Sequence, residues 1–396
     1  MAIPTPLITG LDHECRSICS QHGENLPTRF FVGTNSVKYS TNQIHLLEYD
    51  DVEHSISKVA FHHSKGQIWN MVAPSKNCQL LITVYEGEPV SPKIDNYISI
   101  WNIPIDISSS LSSLNVPMTD LELKSHFDAK KMNLNEDIGR QIRLRPDEEN
   151  ELMLMLETKL VRIDLEREKM ISSVSCDGFF KNNKGSFRSS KLQNFSWNPH
   201  FSGNVVAYVI GSNICSKDLR ENAGSSWNIL NAHQQAVRDI DFNPNSQYYL
   251  ATCGDDCDAK FWDLRNTSNP VVVFREHTHW LWSIQYNSFH DNLVLTGSSD
   301  GNVNLLCVSS VSSTAFGEAV DKLELDDFTK NIFQDGLVHQ YREHEDSVYG
   351  CRWSSNDAWT FGSISYDGRF ILNKVPNKEK QATVNFTLKQ LEQTVE

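Results

Sequence analysis

Three kinds of residue recur in this chain at a spacing that could do acyl-transfer chemistry. His233, Thr252 and Asp256 read on paper as a base, a hydroxyl nucleophile and the acid that orients the base. The arrangement is repeated. His277, Thr296 and Asp300 reproduce it, as do His344, Ser363 and Asp367, with each His 23 residues before its Asp. An active site is built once, and its nucleophile must meet substrate. Three copies in register describe a structural repeat with buried hydroxyls, so no catalysis is expected from them. The other reactive side chains point the same way. Cys253 with Cys257, and Cys15 with Cys19, are four apart and lack the spacing of a zinc knuckle or a redox pair. His62-His63 has no ligand partner at metal spacing and is expected in a solvated loop. No glycine-rich phosphate loop and no HExxH helix is present. The expectation is no enzyme, no cofactor, no metal and no small-molecule substrate.

The elements that position those residues follow from the repeat itself. The His and Asp markers step by 44 and then 67 residues, and the aromatics Phe242, Tyr286 and Trp353 keep the same steps. The larger step implies an insertion, which falls at about 310–337, an acidic stretch expected to be a solvated rim loop. One unit reads as four short strands, Val237–Phe242, Tyr248–Cys253, Asp258–Asp263 and Val271–Phe274, divided by Asn, Pro, Gly and Asp turns. Four strands at that period predict a β-propeller blade. Weaker copies bring the count to seven. Blade four runs from about 186 to 232. Another holds Gly66–Met71, Leu80–Val84 and Ile98–Asn102. A third rests on Glu151–Leu156 and Leu160–Asp164, and the first begins with Phe30–Thr34 and Gln43–Tyr49. Pro6–Leu11 is left over at the start and the last blade lacks a fourth strand after Lys374. The predicted fold is therefore an all-β, seven-bladed propeller over 1–375, closed by the N-terminal strand. The tail 376–396 lies outside it, as a short helix against the rim or a disordered segment.

At the residue level the units resemble WD repeats. Ala232-His233 stands for the family's Gly-His, Asp256 for its turn acid, and Phe261-Trp262-Asp263 for its Trp-Asp ending. The pattern implies a buried chain in which His233 bonds Asp256 and Thr252, and Thr252 accepts from the Trp262 indole. Leu306 and Asn373 replace the Trp in the next two units, so those chains are shorter.

Composition limits the partners. The 50 Asp and Glu against 36 Lys and Arg leave a formal charge of −14, which disfavours nucleic acid and anionic membranes as direct partners. The apolar runs are too short to span a bilayer, and no signal peptide is visible. Nine cysteines without a secretory signal suggest reduced thiols in the cytosol or nucleus. Protein partners remain, and one slot on the first strand of the blades suggests where. Trp69, Arg238, Trp282 and Tyr349 each follow that strand's first apolar residue, Arg140 fills the slot in the third blade, and Trp280 neighbours it. Equivalent positions in a propeller make a ring, and Trp, Tyr and Arg dominate interface hot spots. Trp262-Asp263-Leu264-Arg265 also looks like the box by which WD-repeat proteins dock on the adaptor of a cullin-RING ubiquitin ligase, with Arg265 as the contact.

Several stretches resemble a narrower family. They include Arg29–Thr34 (RFFVGT), Asn42–His45, Val237–Pro244, Gln247–Cys257, Leu293–Asp300, Tyr341–Tyr349 and Ser365–Arg369. Together they are similar to the EARP- and GARP-complex-interacting WD-repeat proteins, from about residue 6 to 376. The resemblance implies a non-enzymatic adaptor of two tethering complexes, acting in endosomal recycling and in retrograde transport to the trans-Golgi network. It implies a cytoplasmic protein, peripheral at those membranes through its partners, with a nuclear pool also open. A ligase substrate receptor and a chromatin-associated scaffold are the alternatives. The family supplies no contact residues, so the ring is an inference from this sequence alone.

Overall fold

Short strands with one or both faces apolar cannot bury their surface alone, and here they stack side by side around a ring. The computed structural model describes residues 4–23, 27–87, 96–104, 119–128, 139–175, 191–220, 227–313 and 334–385. Among them the strands form seven sheets, the blades of a β-propeller. Each blade runs outward through strands a to d, paired antiparallel. In blade 5 these are Val237–Phe242, Tyr249–Gly254, Ala259–Asp263 and Val272–Phe274. The innermost strands a are Cys15–Ser20, Gly66–Val72, Gln141–Leu144, Leu192–Trp197, Val237–Phe242, Leu281–Tyr286 and Val348–Trp353. Each touches the next in order, and the last touches the first, so the ring is closed.

The core is not central but is divided among the seven blade interfaces. One apolar cluster lies between each successive pair, for example Ala251, Phe261 and Phe274 of blade 5 against Leu281, Tyr286 and Leu306 of blade 6. Closure uses the chain start. Leu7–Gly10 pairs with Arg369–Lys374 and supplies strand d of blade 7, with Leu7 opposite Leu372. Leu11, Phe30 and Phe370 then pack across the seam between blades 7 and 1.

Three expectations need correction. Phe30–Thr34 and Gln43–Tyr49 do not begin the first blade. They lie in its strands b and c, Thr28–Thr34 and Gln43–Asp50, and strand a is Cys15–Ser20. That segment lacks a long apolar run, and Cys15, Ile18 and Cys19 provide its buried apolar positions. His62-His63 is not a solvated loop. His62 ends a strand, and His63 is buried, its Nδ1 3.2 Å from the Gly66 carbonyl and its ring edge-on to Tyr85 and Trp101. The insertion is narrower than 310–337. Val311 is buried in the interface between blades 5 and 6, and Gly336–Tyr341 is strand d of blade 6. Residues 314–333 fall outside the described part. The start of the tail forms a helix over 377–385, with Ala382 buried and the Lys380 ammonium over the Trp359 ring.

Candidate partner-binding site

The His–hydroxyl–Asp sets come together as buried links inside blades 5 to 7. His233 lies 2.7 Å from Asp256 and 2.8 Å from Thr252, and the Trp262 indole donates to the same hydroxyl at 3.0 Å. His277 bridges Thr296 and Asp300 at 2.9 Å each, and His344 bridges Ser363 at 2.9 Å and Asp367 at 3.3 Å. Leu306 and Asn373 occupy the strand position of Trp262. Burial alone would raise the Asp256 carboxyl. The hydrogen bond and charge of His233, the Gln234 amide and Lys260 outweigh it and hold the acid well below its usual range. The Thr252, Thr296 and Ser363 hydroxyls are fully buried, so no substrate reaches them.

The predicted ring is a different kind of site, and a backbone device builds it. In six blades strand a carries a β-bulge, at its second residue in five of them and at its fourth in blade 2. The pairing jumps from Cys15 to Ser17, Ile68 to Asn70, Leu192 to Asn194, Val237 to Asp239, Leu281 to Ser283 and Val348 to Gly350. In blade 3 the Arg140 amide bonds the carbonyl of Met155, the residue already opposite Gln141. A bulge leaves one residue out of the ladder and re-aims its side chain. The released residues are Arg16, Trp69, Arg140, Gln193, Arg238, Trp282 and Tyr349. All of them line one recess of about 360 Å³ at the channel mouth where strands a begin. Arg140, Trp69, Arg238, Trp282 and Tyr349 thus share one site, and Trp280 sits beside Trp282 at 6.2 Å, half exposed.

Stacking organises this mouth. The Arg16 guanidinium lies 4.7 Å from the Trp69 ring centre and 5.4 Å from that of Tyr349. Arg140 lies 5.2 Å from Trp69, and Arg238 4.7 Å from Trp282. Trp282 and Tyr349 stand 5.1 Å apart, which joins the two halves. Arg238 is neutralised, donating to both oxygens of Asp255 at 2.6 Å. Desolvation in the recess, joined by the charges of Arg140 and Arg238 and opposed by Tyr349, pulls the pKa of Arg16 down.

The matching family model, described as an EIPR1 beta-propeller, covers residues 4–306, and a second, the WD domain G-beta repeat, covers 336–372. The chain belongs to the EIPR1 β-propeller family. Over 95% of its length it is 37% identical to the human protein named EARP and GARP complex-interacting protein 1, covering 97% of that relative. It is 39% identical to the EARP-interacting protein homolog of Gekko japonicus, and 31% to EARP-interacting protein 1 of Caenorhabditis elegans, with 97% and 98% of those chains covered. As a member of the EIPR1 family the chain is a WD-repeat propeller, and among its described residues no helix is long and apolar enough to cross a membrane.

Two residues of the mouth were not legible in the sequence. Arg16 was missed because its strand was missed; the signal was its place directly after buried Cys15, as Arg238 follows Val237. Gln193 holds the same slot after Leu192. Arg265, the candidate ligase contact, is on the far rim. Its guanidinium is held by Asp263 of the same motif at 2.7 Å and stacks on Tyr248 at 4.7 Å, while its outer edge stays exposed.

Proposed function

We propose that this propeller is a non-enzymatic adaptor that binds the EARP and GARP tethering complexes and supports endosomal recycling and endosome-to-Golgi retrograde transport. The observation that carries the reading is near full-length similarity to relatives named for those complexes. The ring mouth is the face we assign to the partner. It concentrates Arg, Trp and Tyr, the side chains that dominate interface energies, in one recess reached from seven blades. The protein would work in the cytoplasm, peripheral at endosomes and the trans-Golgi network through its partners rather than through a lipid contact. Its chemistry is recognition, since the hydroxyls that imitate a nucleophile are spent inside the blades.

The test is affinity purification of the tagged chain from its own cells, with quantitation of stoichiometric partners. Tethering subunits in near-equal amounts are expected. A Trp282→Ala, Tyr349→Ala double variant, folded by circular dichroism, should lose capture by about thirtyfold or more, as for hot-spot aromatics. Recovery of a cullin adaptor instead, lost with Arg265→Ala, would move the ligase reading to first place. Recovery with histones would favour the chromatin scaffold.

A further inference from the structure

Charge is distributed unevenly over the mouth. Three guanidiniums meet there in a chain whose formal charge is −14. Arg238 is matched by Asp255. Among the described residues, Arg16 and Arg140 face no carboxylate. The two nearby acids have other partners: Glu86 accepts from the Trp69 indole at 3.3 Å and Glu157 pairs with Lys191 at 2.7 Å. Unmatched cations on an acidic protein leave a positive focus inside a negative field, and such a focus steers an anionic group to it.

The arginines are also held in place before any partner arrives. Arg16 lies over both Trp69 and Tyr349, and Arg140 lies over Trp69. Stacking fixes the guanidinium plane and leaves its N–H edges free, the geometry that grips a carboxylate with two parallel hydrogen bonds. Ordering them in advance lowers the entropy cost of binding. Both guanidinium carbons sit over the one ring, at 4.7 and 5.2 Å, so they are no more than 9.9 Å apart. Alternate side chains of an extended peptide share a face and lie about 6.6–7 Å apart, within that limit.

We propose that the mouth takes an acidic, extended segment of the partner protein, in which two carboxylates two residues apart engage Arg16 and Arg140 while the chain lies across Trp69 and Tyr349. This rests on the reading that the ring is the partner face, and it adds the chemistry of the occupant.

The probe is a fluorescein-labelled peptide of Glu-Ala repeats, with a Gln-Ala counterpart, titrated onto the full chain by polarisation to millimolar concentration. The acidic peptide should bind, weaken as salt rises, and lose about tenfold or more with Arg16→Gln or Arg140→Gln, each removing a charge-assisted pair. Arg352→Gln at the other mouth should leave it unchanged. Equal binding of the two peptides would overturn the proposal. So would displacement of the acidic peptide by inorganic phosphate at equal concentration, which would make the site a phosphate cradle. Capture of the tethering complexes separates the two levels. If the arginine variants capture normally while Trp282→Ala, Tyr349→Ala does not, the ring reading stands and the acidic occupant falls. If every variant captures normally, the ring reading itself falls.

Discussion

The two mouths of the propeller channel hold similar side chains and use them in opposite ways. At the far mouth, around a recess of about 350 Å³, Arg143, Asp239, Asp241 and Arg352 converge. The polar groups of Asp239, Asp241 and Arg143 are consumed by the fold. Asp239 accepts from Asn194 of blade 4 at 2.8 Å, from the Ile284 amide of blade 6 at 3.1 Å and from Arg143 of blade 3 at 3.4 Å. Asp241 accepts from the Tyr286 amide at 2.9 Å, and Arg143 also donates to Ser196 at 2.9 Å. One acidic pair thus ties four blades together. At the near mouth the arginines rest on aromatic faces, and two of them face no acid. Arginine alone marks neither a scaffold nor a binding site; what decides is whether its N–H edges are already satisfied.

The widest separation between the mouths should come from Asp239→Ala. It strands the Ile284 amide, the Asn194 side chain and Arg143 in a buried setting, an expected loss of about 3–5 kcal/mol in denaturant unfolding. The fraction that stays folded should still capture the partner. A near-mouth change that matched this loss of stability would erase the distinction between the two mouths.

Acidity sharpens the contrast next. Burial, opposed by Arg143, raises the Asp241 carboxyl to about 6. A carboxyl raised on folding adds stability below its unfolded range, near pH 4, and loses it as pH climbs through about 6. Asp241→Asn removes that dependence. The stability gap between the parent and the variant should shrink by up to about 3 kcal/mol from pH 4 to 7, read from unfolding midpoints across that range. His63 acts with the opposite sign. Burial pushes it down to about 4, so its contribution is present above its usual value and lost as pH falls toward 4. A His63→Asn variant should therefore resist acid unfolding between pH 6.5 and 4 better than its neutral-pH stability predicts.

The smallest effect should be Arg265→Ala. Arg265 stands on an exposed turn and its partner Asp263 ends strand c only two residues away, so the unfolding midpoint should not move measurably. A clear shift would mean that the far rim carries stability through that turn.

Blades 5 to 7 were legible from residue types because each keeps the His, hydroxyl and Asp at one spacing, set by local turn lengths. Blade 2 was less so, although it uses the same physics. The Trp101 indole donates to Thr83 at 2.9 Å, as Trp262 does to Thr252, but its histidine answers to the Gly66 carbonyl and to ring edges instead of a carboxylate. A buried link can be closed in more than one way, and only one of them leaves a recognisable motif. Blade 1 hid its first strand for a related reason: Cys15 does there what Val237, Leu281 and Val348 do elsewhere.

The chain by itself determined the repeat, the four-strand blade and the closure by its first strand, because strand periodicity and turn chemistry act over a few residues. The mouth was decided by the tertiary structure. Its members run from Arg16 to Tyr349 and meet only once seven blades close, and it is the bulge in six inner strands, with Arg140 just ahead of the seventh, that turns them into one recess. Which arginines remain unmatched depends on where Asp255, Glu86 and Glu157 fall in that ring, and that is set by packing between strands far apart in the chain.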